Sequence, residues 1–108
     1  MDQTVAHLIE IFLPTSTNEG QRFDREPFDQ VRDELLQQFG GVTLFTRNPA
    51  EGLWTAEDGN APSVDQMITV EVMTDELDQV WWLDYRQKLE RRFQQEVILI
   101  RSYQVRRL

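Results

Sequence analysis

Cysteine is absent from this 108-residue chain, and histidine occurs once, as His7. Without cysteine the protein cannot contain a disulfide framework, a thiolate metal site, an iron–sulfur cluster or a cysteine nucleophile. A single histidine excludes metal sites that need several imidazole ligands. The sequence also lacks the glycine-rich, nucleophilic-serine and zinc-protease signatures of common enzyme classes. We therefore expect neither a metal ion nor a cofactor.

Positive charge is also scarce. The chain carries 11 basic and 19 acidic side chains, which gives a formal net charge of −8 at pH 7. This balance argues against nucleic-acid binding, because Lys and Arg contacts to phosphate dominate that affinity. Most of the basic residues lie after residue 85. They interleave with apolar residues, which favours a basic strand beside an acidic helix over a basic interaction tail.

Long apolar runs are missing as well. No stretch approaches the ~18 residues that a membrane span requires. The first segment has no basic region, and Glu10 interrupts its apolar run, which is unlike a signal peptide. We therefore expect a cytoplasmic protein that does not contact membranes.

Hydrophobic periodicity predicts six elements in the order β-α-β-β-α-β. Strands are predicted over 5–13, 42–47, 65–73 and 96–106, and helices over 24–39 and 75–95. We expect Asp24 to cap the first helix, and Thr74 or Asp75 to cap the second. Gly40 and Gly41 should end the first helix.

The segment between the second and third strands carries turn signals. Pro49 cannot donate to a strand ladder, so the second strand should be interrupted there before it resumes near Trp54. The sequence Asp58-Gly59 is a strong hairpin signal.

This order of elements, with right-handed crossovers, predicts an α+β fold, the ferredoxin-like βαββαβ sandwich, as a single domain over 1–108. Four antiparallel strands in the order 4-1-3-2 should carry two helices on one face. Strand alternation then assigns one apolar set to the helix side. Its members are Ile9, Ile11, Leu13, Ile68, Val70 and Val72.

Two sequence runs, FGGVTLFTRNPAEGLW and YRQKLERRFQQEVILI, resemble a bacterial domain-of-unknown-function family. The similarity covers roughly residues 24–100 and includes a DG turn between the two runs. The resemblance implies the ferredoxin-like fold and transfers no activity, because that family has no established catalytic residues. The matching positions are Phe39, Gly41, Thr43, Gly52, Trp54, Asp58, Gly59, Phe93, Gln95, Val97 and Leu99.

The other face of the sheet, here called the open face, should be partly apolar. It should carry Leu8, Glu10, Phe12, Met67, Thr69, Glu71 and Met73, with Phe45 and Arg47 from the second strand. A face this apolar should be covered. We expect a second copy of the chain to cover it, as in the dimeric α/β-barrel proteins, to which the fold gives a wider analogy.

Glu10 and Glu71 are the leading candidates for chemistry, since both are predicted on the open face of adjacent central strands. Two close carboxylates can separate in pKa and act as an acid–base pair, with Arg47 neutralising one of them. The alternative, which we favour, is that both carboxylates point to solvent or pair across a dimer interface.

His7 and Trp54 are weaker candidates. Strand alternation puts His7 on the helix side, where a structural role is favoured over that of a general base. A one-residue shift in register would move it to the open face. Trp54 could stack on an aromatic ligand or, as we favour, clasp a dimer partner.

The sequence does not define one activity. The first hypothesis is a dimeric α/β-barrel-type protein that binds a small organic ligand, with Phe12, Phe45, Arg47, Trp54 and Met73 as candidate contacts. The second is a cofactor-independent enzyme, similar to a monooxygenase or an isomerase, that uses a buried carboxylate or His7 as its base. The third is a protein–protein interaction module.

Overall fold

The fold follows the predicted order of elements. The computed structural model describes residues 5–47 and 67–108, and residues 45–47 by their backbone alone. The strands are β1 (Val5–Pro14), β2 (Thr43–Arg47), β3 (Met67–Thr74) and β4 (Ile100–Arg106), and the helices are α1 (Glu26–Phe39) and α2 (Gln79–Arg92). The predicted interruption at Pro49, the resumed strand near Trp54 and the turn at Asp58-Gly59 lie outside the described residues.

The four strands form one antiparallel sheet in the order β2-β3-β1-β4. Read from the other edge this is 4-1-3-2, so the predicted ferredoxin-like topology is confirmed. β1 and β3 are central, whereas β4 lies at one edge. The apolar side of β1 and β3 packs against both helices in a single core. Its buried members are Ile9, Ile11, Leu13, Phe28, Val31, Leu35, Val70, Val72, Trp82, Tyr85, Leu89, Phe93 and Ile98.

The first helix starts later than predicted and lacks the expected cap. Its N-cap is Arg25, which makes no side-chain capping bond, and Asp24 lies outside the helix. Pro27 occupies the first turn, where a missing N–H is tolerated. The predicted stop is confirmed, since Gly40 adopts φ +81° and its N–H donates to the carbonyl of Leu36.

The second helix begins at Gln79 and not near 75. The side chain of Asp78 caps it by accepting a hydrogen bond of 3.1 Å from the N–H of Trp81. Thr74, predicted as a cap, instead donates its hydroxyl to the carbonyl of Glu76. Asp75, the other predicted cap, pairs with Arg107. The start is displaced because Asp78 supplies the capping carboxylate three residues further along.

The second helix also ends earlier than predicted, and β4 begins later. After Arg92 the chain turns through Gln94, whose φ is +55°. The N–H of Ile98 donates to the carboxylate of Glu90 at 3.1 Å. This bond satisfies a backbone donor outside the sheet, and the side chain of Ile98 fills the core. The residues before Ile100 therefore form a loop, of which Ile98 joins the core while Val97 and Leu99 are exposed.

Candidate functional site

Two carboxylates face each other at the centre of the open face. Glu10 on β1 is in register with Glu71 on β3; the sequence had placed them on one face of adjacent strands. Because the N–H of Phe12 donates to Leu99, even-numbered residues of β1 bond to β4 and odd-numbered ones to β3. Glu10 and Glu71 therefore form a non-hydrogen-bonded pair, in which the Cα atoms lie only about 4.5 Å apart and the side chains are closest.

Glu10 is the more enclosed of the two acids. It is 4% exposed, and its carboxylate accepts a hydrogen bond of 2.6 Å from Nε of Arg101. Arg101 lies opposite Glu10 in the neighbouring strand β4. Its guanidinium also lies over the ring of Phe12, 5.1 Å from the centroid. A buried carboxylate is thus held by one cation that also contacts an aromatic ring.

The sequence suggested that Arg47 could neutralise one of the two acids, and it did not single out Arg101. The backbone of Arg47 pairs with Met67, whereas Glu71 pairs with Thr43. Four residues of strand, or about 13 Å, separate these positions. The partner of Glu10 is therefore Arg101, on the opposite side of β1. Alternation along β4 could have indicated Arg101, since opposite charges are favoured directly across a strand pair.

The middle of the open face is buried within a single chain. Phe12 and Thr69 are paired in register and both are buried. Within the described residues the hydroxyl of Thr69 has no hydrogen-bond partner, and such buried groups often mark a place where a ligand or water binds. That a second chain covers this face stays a prediction; within one chain, Phe12, Thr69 and Glu10 are already buried.

The other end of the open face remains exposed. Leu8 lies there between Met73 on β3 and Tyr103 on β4, its register partners. Met73 is 44% exposed and Tyr103 is 46% exposed. This Met73–Tyr103 patch places a thioether and a phenol next to the row that contains Glu71, Glu10 and Arg101.

Of the other predicted site residues, His7 is described and is not brought to this cluster. His7 is half-buried and lies on the helix side, as predicted, in register with Thr74 and Gln104. It makes no hydrogen bond or ion pair within residues 5–47 and 67–108, so no orienting partner identifies it as a base there. Trp54 and the side chains of Phe45 and Arg47 lie outside the described residues.

A groove between α2 and β4 is a second candidate site. Its volume is about 510 Å³, within the range typical of ligand pockets. Mostly apolar side chains line it, among them Val80, Leu83 and Ile100. Arg86 also lines it, and its buried Nε lies 3.5 Å from a carboxylate oxygen of Glu90. Arg101 is a lining residue too, but its guanidinium is bound to Glu10 on the open face. Sequence reasoning missed the groove because it focused on the open face.

The third candidate is a polar cluster that joins the two helices. Glu34 on α1 accepts a hydrogen bond from the hydroxyl of Tyr85 and two from the guanidinium of Arg92. Burial acts to raise the pKa of Glu34, but the hydrogen bonds from Arg92 and Tyr85 outweigh it and lower that pKa. Burial, reinforced by the bond to Glu34, raises the pKa of Tyr85. The bond to Glu34 also raises the pKa of Arg92. All its groups have partners within the cluster, which is typical of a structural network.

The part of the chain that is described contains no metal-binding cluster and no membrane-spanning helix. There, no three His, Asp or Glu side chains come together in a way that could hold a metal ion. Neither α1 nor α2 is long and apolar enough to cross a membrane.

Comparison with known proteins adds information on the fold alone. No protein-family model matches the chain, and no curated protein matches it. The resemblance to a domain-of-unknown-function family therefore stays a prediction. Among solved structures, the chain is similar to a phage SAM lyase in complex with S-methyl-5′-thioadenosine, with a TM-score of 0.53 and 12% identity. The match covers 98% of this chain and 92% of that one. At this identity it supports the α+β fold and no more.

Proposed function

We propose that the protein binds a small organic ligand at the open face of its sheet, as a homodimer of the dimeric α/β-barrel type. The observation that carries this proposal is the pairing of Glu10 with Glu71 beside a single cation. Arg101 engages Glu10, whereas no cation in the described part of the chain pairs with Glu71. Among the described residues, the cluster therefore holds two carboxylates and one cation, next to apolar surface.

This chemistry favours a ligand with an apolar or aromatic body and hydrogen-bond donors. Glu71 would accept from hydroxyl or amino groups, while Met73 and Tyr103 would contact the body of the ligand. Ribose hydroxyls are typical partners of protein carboxylates. A nucleoside thioether satisfies both requirements, and the structurally similar phage SAM lyase is seen with S-methyl-5′-thioadenosine. That compound is therefore the first probe.

The test is calorimetric titration of the wild-type protein with S-methyl-5′-thioadenosine. Loss of the Glu71 charge in Glu71→Gln should weaken binding by about tenfold, equivalent to 1.4 kcal/mol. The matched control is Glu19→Gln, which changes an exposed carboxylate outside the sheet and should leave affinity unchanged. Native mass spectra that show no adduct on the purified protein, together with no binding of the probe, would contradict the proposal.

The dimer is tested separately. The Met73–Tyr103 patch is an exposed apolar part of the open face, so a charge there should oppose association of two sheets. Tyr103→Asp should shift the sedimentation profile from dimer to monomer. Leu36→Asp changes a similarly exposed residue on α1 and should not. A wild-type protein that sediments as a monomer at micromolar concentration would overturn the dimer.

The second candidate function is that of a cofactor-independent enzyme. A nearly buried carboxylate at the open face favours this function. Because Arg101 engages Glu10, Glu71 is the carboxylate available to accept a proton from a substrate. In this case Glu71→Gln would abolish turnover of a bound substrate and leave its binding intact. Loss of binding and turnover together would favour the ligand-binding role.

A further inference from the structure

The outer edge of β4 carries unpaired backbone groups. β4 contains no proline, lies at the end of the sheet and pairs with β1 alone among the described strands. Since Leu99 bonds to Phe12, the residues of β4 that bond to β1 are the odd-numbered ones. The N–H and C=O groups of Ile100, Ser102 and Gln104 therefore point outward, as a template on which a further strand can pair.

The α2–β4 groove runs beside this edge. Its wall on α2 includes Val80 and Leu83, which are 72% and 48% exposed. Its floor includes Ile9 of β1 and Ile100 of β4, on the helix side of the sheet. An occupant that fits this edge therefore has two parts, a strand that pairs with β4 and an apolar surface that packs against α2.

The arginines of this edge do not call for an acidic occupant. Arg101 is bound to Glu10, and Arg107 is bound to Asp75. Because both cations are compensated within their own chain, they do not prevent the approach of a second copy of that chain. The remaining condition is that like charges do not lie directly opposite each other across the new strand pair.

The backbone limits the registers in which two copies of β4 can pair. The outward, even-numbered residues must form the hydrogen-bonded pairs of an antiparallel ladder. A twofold axis at Ser102 satisfies this rule, because it places Ser102 opposite Ser102 of the second copy. Ile100 then pairs with Gln104 of the second copy, and Gln104 with Ile100, whereas Arg106 lies outside the paired residues.

Side chains favour this register over its neighbours. It places Arg101 opposite Tyr103 and Leu99 opposite Val105, in non-hydrogen-bonded pairs where side chains are closest. Leu99 and Tyr103 are 51% and 46% exposed in the single chain, and a guanidinium beside an aromatic ring is favourable. An axis at Arg101 would place two Arg101 side chains opposite each other, and an axis at Tyr103 would place Arg101 opposite Val105.

The same association covers the groove. A twofold axis between paired edges is perpendicular to the sheet, so the helices of both copies lie on one side of it. α2 of one copy then faces α2 of the other, and Val80 and Leu83 of both copies border the joined grooves. A second copy thus supplies both the strand and the apolar surface.

The size of this interface predicts a weak association. A standard interface takes about 20–30 residues and about 800 Å² from each partner. β4 and the exposed side of α2 offer about 15 residues, or roughly 500 Å² by the same ratio. We therefore expect a dissociation constant of about 100 μM.

We propose that two copies of the chain pair through β4 about a twofold axis at Ser102, which joins two four-stranded sheets into one of eight strands. Tyr103 of the second copy lies beside Arg101 and extends the row formed by Glu71, Glu10 and Arg101. This interface uses a different surface from the open-face dimer and does not depend on it. Where both interfaces form, the assembly is a tetramer.

Sedimentation equilibrium between about 10 μM and 1 mM measures the association. We expect the mass to double over this range, with a midpoint near the predicted dissociation constant. Met73→Asp, on β3, places a charge on the open face away from β4 and should leave this step in place. A constant mass in the wild type, or a step that disappears in Met73→Asp, would overturn the proposal.

Variants at the edge and in the groove test the two parts of the interface. Ser102→Pro removes the N–H at the axis, which an edge strand tolerates, and should weaken association by at least about tenfold; Ser102→Ala keeps it and should not. Leu83→Glu, on the surface of α2, should also weaken association. Leu36→Glu, on α1, is its control. Unchanged association in both Ser102→Pro and Leu83→Glu would overturn the proposal.

The absence of cysteine makes the register testable by disulfide formation. In Ser102→Cys the two thiols lie on a hydrogen-bonded pair, whose Cα atoms are about 5.5 Å apart, within the range of a disulfide. Oxidation should therefore link these chains. In Gln104→Cys the two positions are offset by about 13 Å along the strands, so these chains should remain unlinked. Equal linkage of the two variants, or linkage of Gln104→Cys alone, would overturn the proposed register.

Discussion

The hydroxyl of Tyr85 on α2 donates a hydrogen bond of 2.8 Å to the carboxylate of Glu34 on α1. Arg92, two helical turns further along α2, donates two bonds to the same carboxylate, of 2.9 and 2.7 Å. The ring of Tyr85 is part of the core, while its hydroxyl reaches the polar rim. Tyr85 thus takes part both in the apolar packing between the two helices and in the polar contact at Glu34.

Tyr85→Phe should destabilise the protein by about 1 kcal/mol, since it removes one hydrogen bond to a charged group but leaves both bonds from Arg92. Urea unfolding followed by tryptophan fluorescence measures the loss. Tyr103→Phe is the matched control, because that tyrosine is exposed and its hydroxyl has no partner in the described residues. A loss of equal size in both variants would contradict this role of the Tyr85 hydroxyl.

The stability that Glu34 provides should depend on pH. The pKa of Glu34 in the folded protein is lowered from an ordinary value of 4.5. Folding therefore favours the ionised form of this carboxyl group. This contribution is present above pH 4.5 and is lost as pH falls through the lower, folded-state pKa. Wild type and Glu34→Gln should therefore differ most near neutral pH and converge in acid. Unfolding free energies measured across this range would contradict the prediction if their difference stayed constant.

Asp78 should be the residue that starts α2. Replacement of an N-cap side chain by alanine costs about 1 kcal/mol, so Asp78→Ala should lower the free energy of unfolding by that amount. Asp75→Ala removes only an exposed ion pair with Arg107, and should cost less than about 0.5 kcal/mol. Thermal and urea unfolding of the two variants compare them directly. A greater loss in Asp75→Ala would place the cap where the sequence first suggested.

The error at this cap shows what local patterns leave open. Thr74, Asp75 and Asp78 are all good N-cap residues within five positions, and periodicity cannot choose among them. In the structure Asp78 is the cap, while Asp75 pairs with Arg107, thirty-two residues further along the chain. In contrast, the helix stop at Gly40 and the apolar stripes were predictable, because they depend on residues close in sequence.

The same distinction applies to the candidate site. Alternation along β1 and β3 put Glu10 and Glu71 on one face correctly. Alternation along these two strands could not predict the contact with Arg101. That residue lies ninety-one positions from Glu10 in the sequence, and the register of β4 brings the two side chains together. Nor did it reveal the α2–β4 groove, since the exposed positions of Val80 and Leu83 follow from how α2 is placed over the sheet.

The Glu10–Arg101 pair should matter more than an exposed ion pair, because Glu10 is buried and Arg101 is about half exposed. Arg101→Met should cost about 2 kcal/mol, since it leaves a buried carboxylate without a partner and removes the contact to Phe12. Adding Glu10→Gln should restore part of that loss, because the buried charge is then absent. Urea unfolding of both single variants and the double variant measures the coupling between the two side chains. Additive losses would show that the pair contributes no interaction energy, and would also weaken the case for a charged cluster at the open face.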